Sequence, residues 1–511
     1  MRPPRALLAL CVAVAIAIVL PIGITIFQAF HGGFGAVRTA VEASSAHVLL
    51  LHTILVALVA TPATGVIGVA GAWFVERTNL PLRRVWALLL VAPLTVPLFV
   101  TSYAWASIGV LLQGFWGAAG IISFSYYPIV FLLVAVALRG LDPALEESAR
   151  SLGLNGPRVF FRVILPQIRP ALLGGLLLVA LDALVEFDAF VALKFQTFSL
   201  DIYGQYRLGF STSGAAALAL FSIVLCLVLL FGEAGLRGNA NYTRVSQGAR
   251  RPPHRYALGF WVVPVVAGLG FVIAVSVGIP VGMLVNWFSK SSSAGLATAS
   301  DNLHYLWPAT LTSVTLGLAA ALVALVFALP MAVLAVRYRG RFVTVLERLT
   351  YLSFALPDLV AAIALSYAAV HWARFLYGSF TLIVLAEAVL FVPFAVVAMR
   401  ATLGQIEPSL EESARALGAG GLRAFWRVTA PLVRPGAAAA IVLVFAFSLG
   451  DLATSQVLLP LNDYTLGTEF NANASTVAFA AAAPFAATLI VLAMGAAYVL
   501  MSRFGEVREL G

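Results

Sequence analysis

The 511-residue sequence predicts an all-α polytopic membrane protein, with about 12 transmembrane helices set out as two parallel six-helix repeats. Three observations predict it. Hydrophobic residues make up 61% of the chain and Asp, Glu, Lys and Arg only 10%, with a mean hydropathy of +0.99. A soluble domain is roughly a quarter charged, so this chain lacks the polar surface to face water. Apolar runs of about 20 residues recur along it, the length that crosses a bilayer core. A polar, arginine-bearing segment also occurs twice, once in each half.

Taken in order, the first six runs fall at 6–30, 48–74, 86–112, 119–138, 171–192 and 213–232. The first follows Arg2 and Arg5 as a signal peptide would, but continues to Phe30 with no small-residue cleavage site, and reads as an uncleaved span. Residues 233–256 are polar and rich in Gly and Arg, and read as a cytoplasmic linker. Six further runs follow at 257–285, 309–336, 349–370, 380–399, 436–458 and 478–502. The chain thus divides into a first half, 1–232, and a second half, 257–511. No P-loop pattern occurs. Cys11 and Cys226 lie inside apolar runs, where a thiol acts as a small hydrophobe. Runs such as Ala437–Ala440 and Ala480–Ala483 suit close helix packing.

The net charge of +9 reports orientation. With the N-terminus inside, only Arg38, Lys194, Arg207, Lys290 and Arg374 of the 31 Lys and Arg fall outside. The positive-inside rule therefore places both termini in the cytoplasm, and a nucleic-acid partner is not expected.

The internal repeat is the most informative feature. Residues 142–170 read DPALEESARSLGLNGPRVFFRVILPQIRP and residues 407–435 read EPSLEESARALGAGGLRAFWRVTAPLVRP, with 17 of 29 positions identical and no gap. Both follow the fourth span of their half. Each copy reads as a short surface helix. Asp142 and Glu407 suit the N-cap, and Pro143 and Pro408 the first helical position. Glu146, Glu147, Glu411 and Glu412 favour the first turns through the helix dipole. Glu146–Arg150 and Glu411–Arg415 form i,i+4 pairs, and Gly153 and Gly418 end the helix. A second arginine-bearing piece follows, which the pairs Pro166–Pro170 and Pro431–Pro435 are expected to break before the next span.

The spacing resembles the EAA loop of binding-protein-dependent ABC importer permeases. The matching positions are Glu147, Ser148, Ala149, Gly153, Val163 and Pro166, and again Glu412, Ser413, Ala414, Gly418, Val428 and Pro431. Ser stands where the family often has Ala. The resemblance implies the type I importer permease fold, with EAA loops at 139–170 and 400–435, in a bacterial inner membrane. It implies that each loop seats on a cytoplasmic ABC ATPase, through Glu146, Glu147, Ala149, Arg150 and Gly153 and through Glu411, Glu412, Ala414, Arg415 and Gly418. ATP and magnesium would bind two copies of that separate ATPase, leaving this chain without cofactor or catalytic residues. An extracytoplasmic binding protein would deliver the substrate.

Intramembrane acids are costly and usually functional. Asp182, Glu186, Asp188, Asp358, Glu387 and Asp451 fall within or beside the expected spans, and no Lys or Arg lies clearly inside one. Of these, Asp182, Glu186, Asp188, Asp358 and Asp451 are candidate substrate-pathway residues. The repeat offset makes Glu186 and Asp451 equivalent, and a transient metal contact is expected there rather than a fixed site. Glu186 and Asp188 share no helix face unless the helix breaks between them. The competing reading has these acids satisfied by Tyr, Ser or backbone donors. The segments LDALVEFDAF (181–190) and FSLGDLATSQVLLP (447–460) resemble most the fused ferric-iron permeases. Hard trivalent cations favour carboxylate oxygens. Fused permeases for thiamine and aminoethylphosphonate, and the half-size polyamine permeases, share the architecture. A proton-coupled secondary transporter would leave the twin loops unexplained.

Overall fold

A computed structural model describes residues 3–31, 35, 38, 42, 46–141, 143–207, 212–237, 255–289, 303–404, 406, 408–417 and 420–504. Ten helices among them are long and apolar enough to cross a membrane, and two bent pairs raise the number to as many as twelve. In chain order, the elements that position the sites are α1 (Arg5–His31), α2 (Ala46–Arg77), α3 (Phe115–Arg139), α4 (Pro143–Ser151), α5 (Gly156–Val185) and α6 (Asp188–Ala192). Their counterparts in the second half are α7 (Leu303–Arg337), α8 (Phe380–Leu403), α9 (Pro408–Ala416), α10 (Phe425–Gly450) and α11 (Ala453–Leu458).

The third span of each half departs from a simple helix. Arg83–Thr95 meets Leu98–Ile108 at 89°, and Arg341–Phe354 meets Asp358–Trp372 at 103°. The cause is local: Pro97 and Pro357 stand at the two bends, and the residues before them, Val96 and Leu356, are extended (ψ 115° in both). Proline excludes the helical region for the residue that precedes it.

The fifth span of each half begins and ends earlier than expected. Pro166–Pro170 and Pro431–Pro435 do not break the chain: Gly156–Val185 runs on without interruption, and Gly421–Ala424 leads directly into Phe425–Gly450. A single π-helical turn precedes each proline pair, at Phe160–Ile164 and Phe425–Thr429. Such a turn relaxes the hydrogen-bond ladder where proline supplies no N–H and crowds the preceding carbonyl. The helices then stop at Val185 and Gly450, so neither 171–192 nor 436–458 is one continuous span.

Two compact units are present, and they do not follow the sequence repeat. One comprises Met1–Ala43, Asp201–Leu220 and Asn286–Gly511; the other comprises Ser44–Leu200 and Phe221–Val285. In the first of these α1 packs on α7 and on Asp358–Trp372, beside the bundle formed by α7, α8 and α10. In the second, α2, α3 and α5 pack together, and Phe271 of the span Gly259–Ser289 meets Phe124 of α3 edge-on at 6.3 Å. Small residues permit the closest approaches. A Cβ added at Gly68 of α2 would lie 2.7 Å from Val130 Cβ and 2.9 Å from the Phe131 amide nitrogen of α3. Ala440 and Ala481–Ala483 are fully buried, as helix-packing positions should be.

Candidate functional site

The loop helix α4 begins at Pro143 and ends at Ser151, and Gly153 follows at φ 84°, a left-handed conformation that glycine adopts without strain. The Gly153 amide donates to the Arg150 carbonyl at 2.8 Å and the Leu154 amide to that of Ala149 at 3.2 Å, closing the helix. Ala149 is buried against the body of its unit while Glu147 is exposed. The expected pair Glu146–Arg150 forms, at 3.3 Å.

Glu146 itself points inward, not outward. Arg77, the last residue of α2, donates from Nη1 to Glu146 Oε2 at 3.1 Å and from Nη2 to the Leu138 carbonyl at 3.1 Å. The two side chains are 1% and 5% exposed. The Tyr256 hydroxyl donates to Glu146 Oε1 at 2.5 Å, and the Arg150 guanidinium lies 4.4 Å from the Tyr256 ring centroid. Burial, and after it the hydrogen bond to Glu146, push the Tyr256 phenol above its ordinary range, so it stays a protonated donor.

In the other unit α9 repeats the plan. Arg337, the last residue of α7, donates from Nη2 to Glu411 Oε1 at 3.1 Å and from Nη1 to the Ile406 carbonyl at 3.3 Å, and the Thr429 hydroxyl donates to Glu411 Oε1. Ala414 is half-buried, like the rest of that inner face. Asp142, Glu407 and Gly418 lie outside the described residues, as do the side chains of Glu412 and Arg415.

The outward face of each loop carries residues that charge-based reasoning passed over. Leu152 and Leu417 are 83% and 89% exposed, and Leu145 and Leu410 are also exposed. These are equivalent pairs of the repeat. Exposed leucines repeated at one place on two loops mark an interaction face. The sequence signal was their identity in both copies.

The membrane carboxylates also repeat. The chain leaves the helix at Glu186 (ψ 129°) and at Asp451 (ψ 102°). Each acid then caps a short helix: Glu186 Oε1 accepts from the Ala189 amide at 2.8 Å, and Asp451 Oδ1 from the Thr454 amide at 3.0 Å. Asp188 starts α6, so the helix breaks between Glu186 and Asp188, the condition under which the two could share a face. The Tyr126 hydroxyl of α3 donates to Glu186 Oε2 at 3.4 Å and lies within electrostatic reach of Asp182 and Asp188. In the other unit Ser448 donates to Glu387 Oε2, and Glu387 lies within electrostatic reach of Asp451 and Asp358. Tyr126 and Glu387 both come from the fourth span of their half, each 13 residues before an arginine near its C-terminal end, Arg139 or Arg400. One unit therefore sets three acids within electrostatic reach of Tyr126, and the other sets two within reach of a third, Glu387, each group beside a helix break and partly satisfied by Tyr, Ser or backbone donors.

Satisfaction is incomplete. Glu387 is wholly buried and Asp451 nearly so, yet Glu387 Oε1 and Asp451 Oδ2 have no hydrogen-bond partner among the described residues. Acceptor oxygens of this kind suit a cation that replaces its water with carboxylate. Among the described residues no three His, Cys, Asp or Glu converge as a fixed metal site would.

Known proteins match this sequence, one of them over 98% of the chain. Residues 65–234 and 324–506 each match the model of the "binding-protein-dependent transport system inner membrane component" family. The Fe(3+)-transport system permease protein of Haemophilus influenzae is 32% identical over 505 residues, covering 98% of this chain and 99% of that one. A ferric transport system permease protein of Actinobacillus pleuropneumoniae is 28% identical over 368 residues, 68% of this chain and 52% of its own length. A sulfate transport system permease protein of Salmonella typhimurium is 32% identical over 200 residues, 35% of this chain and 72% of its own.

Proposed function

We propose, for a chain that belongs to the family of binding-protein-dependent transport system inner membrane components and is the permease subunit of an ABC importer, that the cargo is ferric iron. An extracytoplasmic binding protein hands the ion over, and the permease passes it inward by alternating access. ATP and magnesium bind to a separate ATPase, two copies of which engage the two loops of this one chain. Both termini are cytoplasmic, the orientation that collects the arginines inside.

One observation carries the cargo: each half holds acids beside a break in its fifth span, with oxygen atoms of Glu387 and Asp451 left unpartnered among the described residues. A sulfate or phosphate would meet repulsion there, whereas a hard cation gains ligands. That a full-length relative carries an iron-transport name supports the same choice. Glu186 and Asp451 are the transient contacts, with Asp182, Asp188 and Asp358 beside them and Glu387 and Tyr126 added from the fourth spans.

The loops supply coupling. Glu147 and the exposed Leu145 and Leu152 face the ATPase at the first loop. Glu412, Gly418, Leu410 and Leu417 do so at the second. Glu146, Glu411, Arg150, Ala149 and Ala414 hold the helices in place from behind, and Gly153 makes the turn.

The test is ATP hydrolysis by the reconstituted permease–ATPase complex with its binding protein. Hydrolysis should rise with the iron-loaded binding protein and not with the empty one. Equal stimulation by a sulfate-loaded or thiamine-loaded binding protein would remove iron as the cargo.

A further inference from the structure

The two loop helices are held by the same chemistry drawn from different places. In both, the first-turn glutamate takes a guanidinium from the end of the second span, Arg77 or Arg337, and one hydroxyl. At Glu411 the hydroxyl is that of Thr429, buried in the π-helical turn of the same repeat copy. The equivalent position in the first copy is Ile164, buried and without a donor. Glu146 receives its hydroxyl instead from Tyr256, at the end of the segment that joins the two halves.

Tyr256 is fixed there by its backbone as well as its ring. Its amide donates to the Arg77 carbonyl at 2.8 Å, and its carbonyl accepts from the Asn79 amide at 3.1 Å, forming a parallel bridge with Thr78. The Leu258 amide donates to Asn79 Oδ1 at 2.9 Å. The ring lies 5.3 Å from that of Trp73 and beneath Arg150. The joining segment thus ends in a clasp on the last turn of α2, aimed at the one carboxylate that seats the first loop helix.

We propose that Tyr256 is the positioning residue of the first coupling loop, replacing the hydroxyl that the second loop obtains from Thr429. The joining segment is then a working part of coupling and not a passive tether. The two ATPase seats differ in what holds them: the second takes its hydroxyl from within its own repeat copy, and the first has one only when position 256 is docked. This rests on the loops being the ATPase seats.

Two readouts test it. Leu152→Cys provides an exposed thiol for a nitroxide, since Cys11 and Cys226 are both buried. In Tyr256→Phe, which keeps the ring contacts and loses the hydroxyl, the label should become more mobile. Adding Ile164→Thr, which restores a hydroxyl at the Thr429-equivalent position, should return it to the wild-type spectrum. In the unlabelled complex Tyr256→Phe should lower binding-protein-stimulated ATP turnover about tenfold, as expected for one hydrogen bond to a buried charge. Ile164→Thr should bring it back to within about threefold of wild type, and Thr429→Val alone should match the loss. An unchanged spectrum in Tyr256→Phe, a changed spectrum with unchanged turnover, or failure of Ile164→Thr to restore either readout would overturn the proposal. Absence of stimulated turnover in the wild type would instead strike the coupling reading, and the spectrum would still report the clasp.

Discussion

Replacing Arg77 by Met removes the cation from the most deeply buried ion pair among the described residues. Arg77 and Glu146 are 1% and 5% exposed and 3.1 Å apart, so the variant leaves a carboxylate stranded with Tyr256 and Arg150 at its other oxygen. Breaking a buried pair from one side costs about 3–5 kcal/mol, because the remaining charge stays desolvated. The surviving contacts at Oε1 put the cost near the lower end, about 3 kcal/mol. At about 1.4 kcal/mol per tenfold, the undocked population of α4 should rise on the order of 100-fold. Hydrogen exchange of residues 143–154 in nanodiscs reads this directly, since those amides exchange through local opening. Exchange should accelerate on the order of 100-fold in that segment and stay unchanged in α3. The double variant Arg77→Met, Glu146→Leu places two apolar side chains together and should recover most of the protection. Wild-type exchange in the single variant, or no recovery in the double, would refute the claim that this pair seats the helix.

Other outcomes follow from the same geometry. Leu152→Glu with Leu417→Glu should weaken ATPase binding at least about tenfold per loop, as expected when a buried leucine contact is replaced by charge, with membrane insertion unchanged; pull-down with purified ATPase measures it. Glu186→Gln with Asp451→Asn keeps an acceptor for the Ala189 and Thr454 amides, so thermal stability should hold while iron uptake falls. In Glu186→Ala the cap is lost too, and stability should drop by about 1 kcal/mol, visible as a lower midpoint in a thermal scan. Gly153→Ala meets φ 84° and should cost about 1–2 kcal/mol in closing α4, read by the same exchange experiment.

Much of the architecture was legible because bilayer thickness leaves its mark as run length. The loop helices were legible because capping, dipole and i,i+4 signals are local. The spacing of Glu186 and Asp188 posed the question of a helix break without deciding it, and the expected span 171–192 ran through it. Three things were hidden for physical reasons. The proline pairs looked like stops, but a π-helical turn absorbs them, and nothing in the residue types distinguishes the two outcomes. The right-angle bends at Pro97 and Pro357 were overlooked because the runs on both sides of each proline are apolar enough to add up to one span, Asp358 notwithstanding. The partners of Glu146 and Glu411 were out of reach because Arg77, Tyr256 and Arg337 are distant in sequence and join only through packing. Glu147 and Glu146 therefore looked alike as charges beside each other, whereas one is exposed and the other is buried in an ion pair.

Uptake of radioactive ferric iron into proteoliposomes holding the permease and its ATPase, with the iron-loaded binding protein present only on the side opposite the ATPase, tests the central claim most directly. Accumulation should require ATP on the ATPase side and should fall in Glu186→Gln, Asp451→Asn while basal hydrolysis persists. Accumulation that survives ATP depletion and follows an imposed pH gradient would contradict the account.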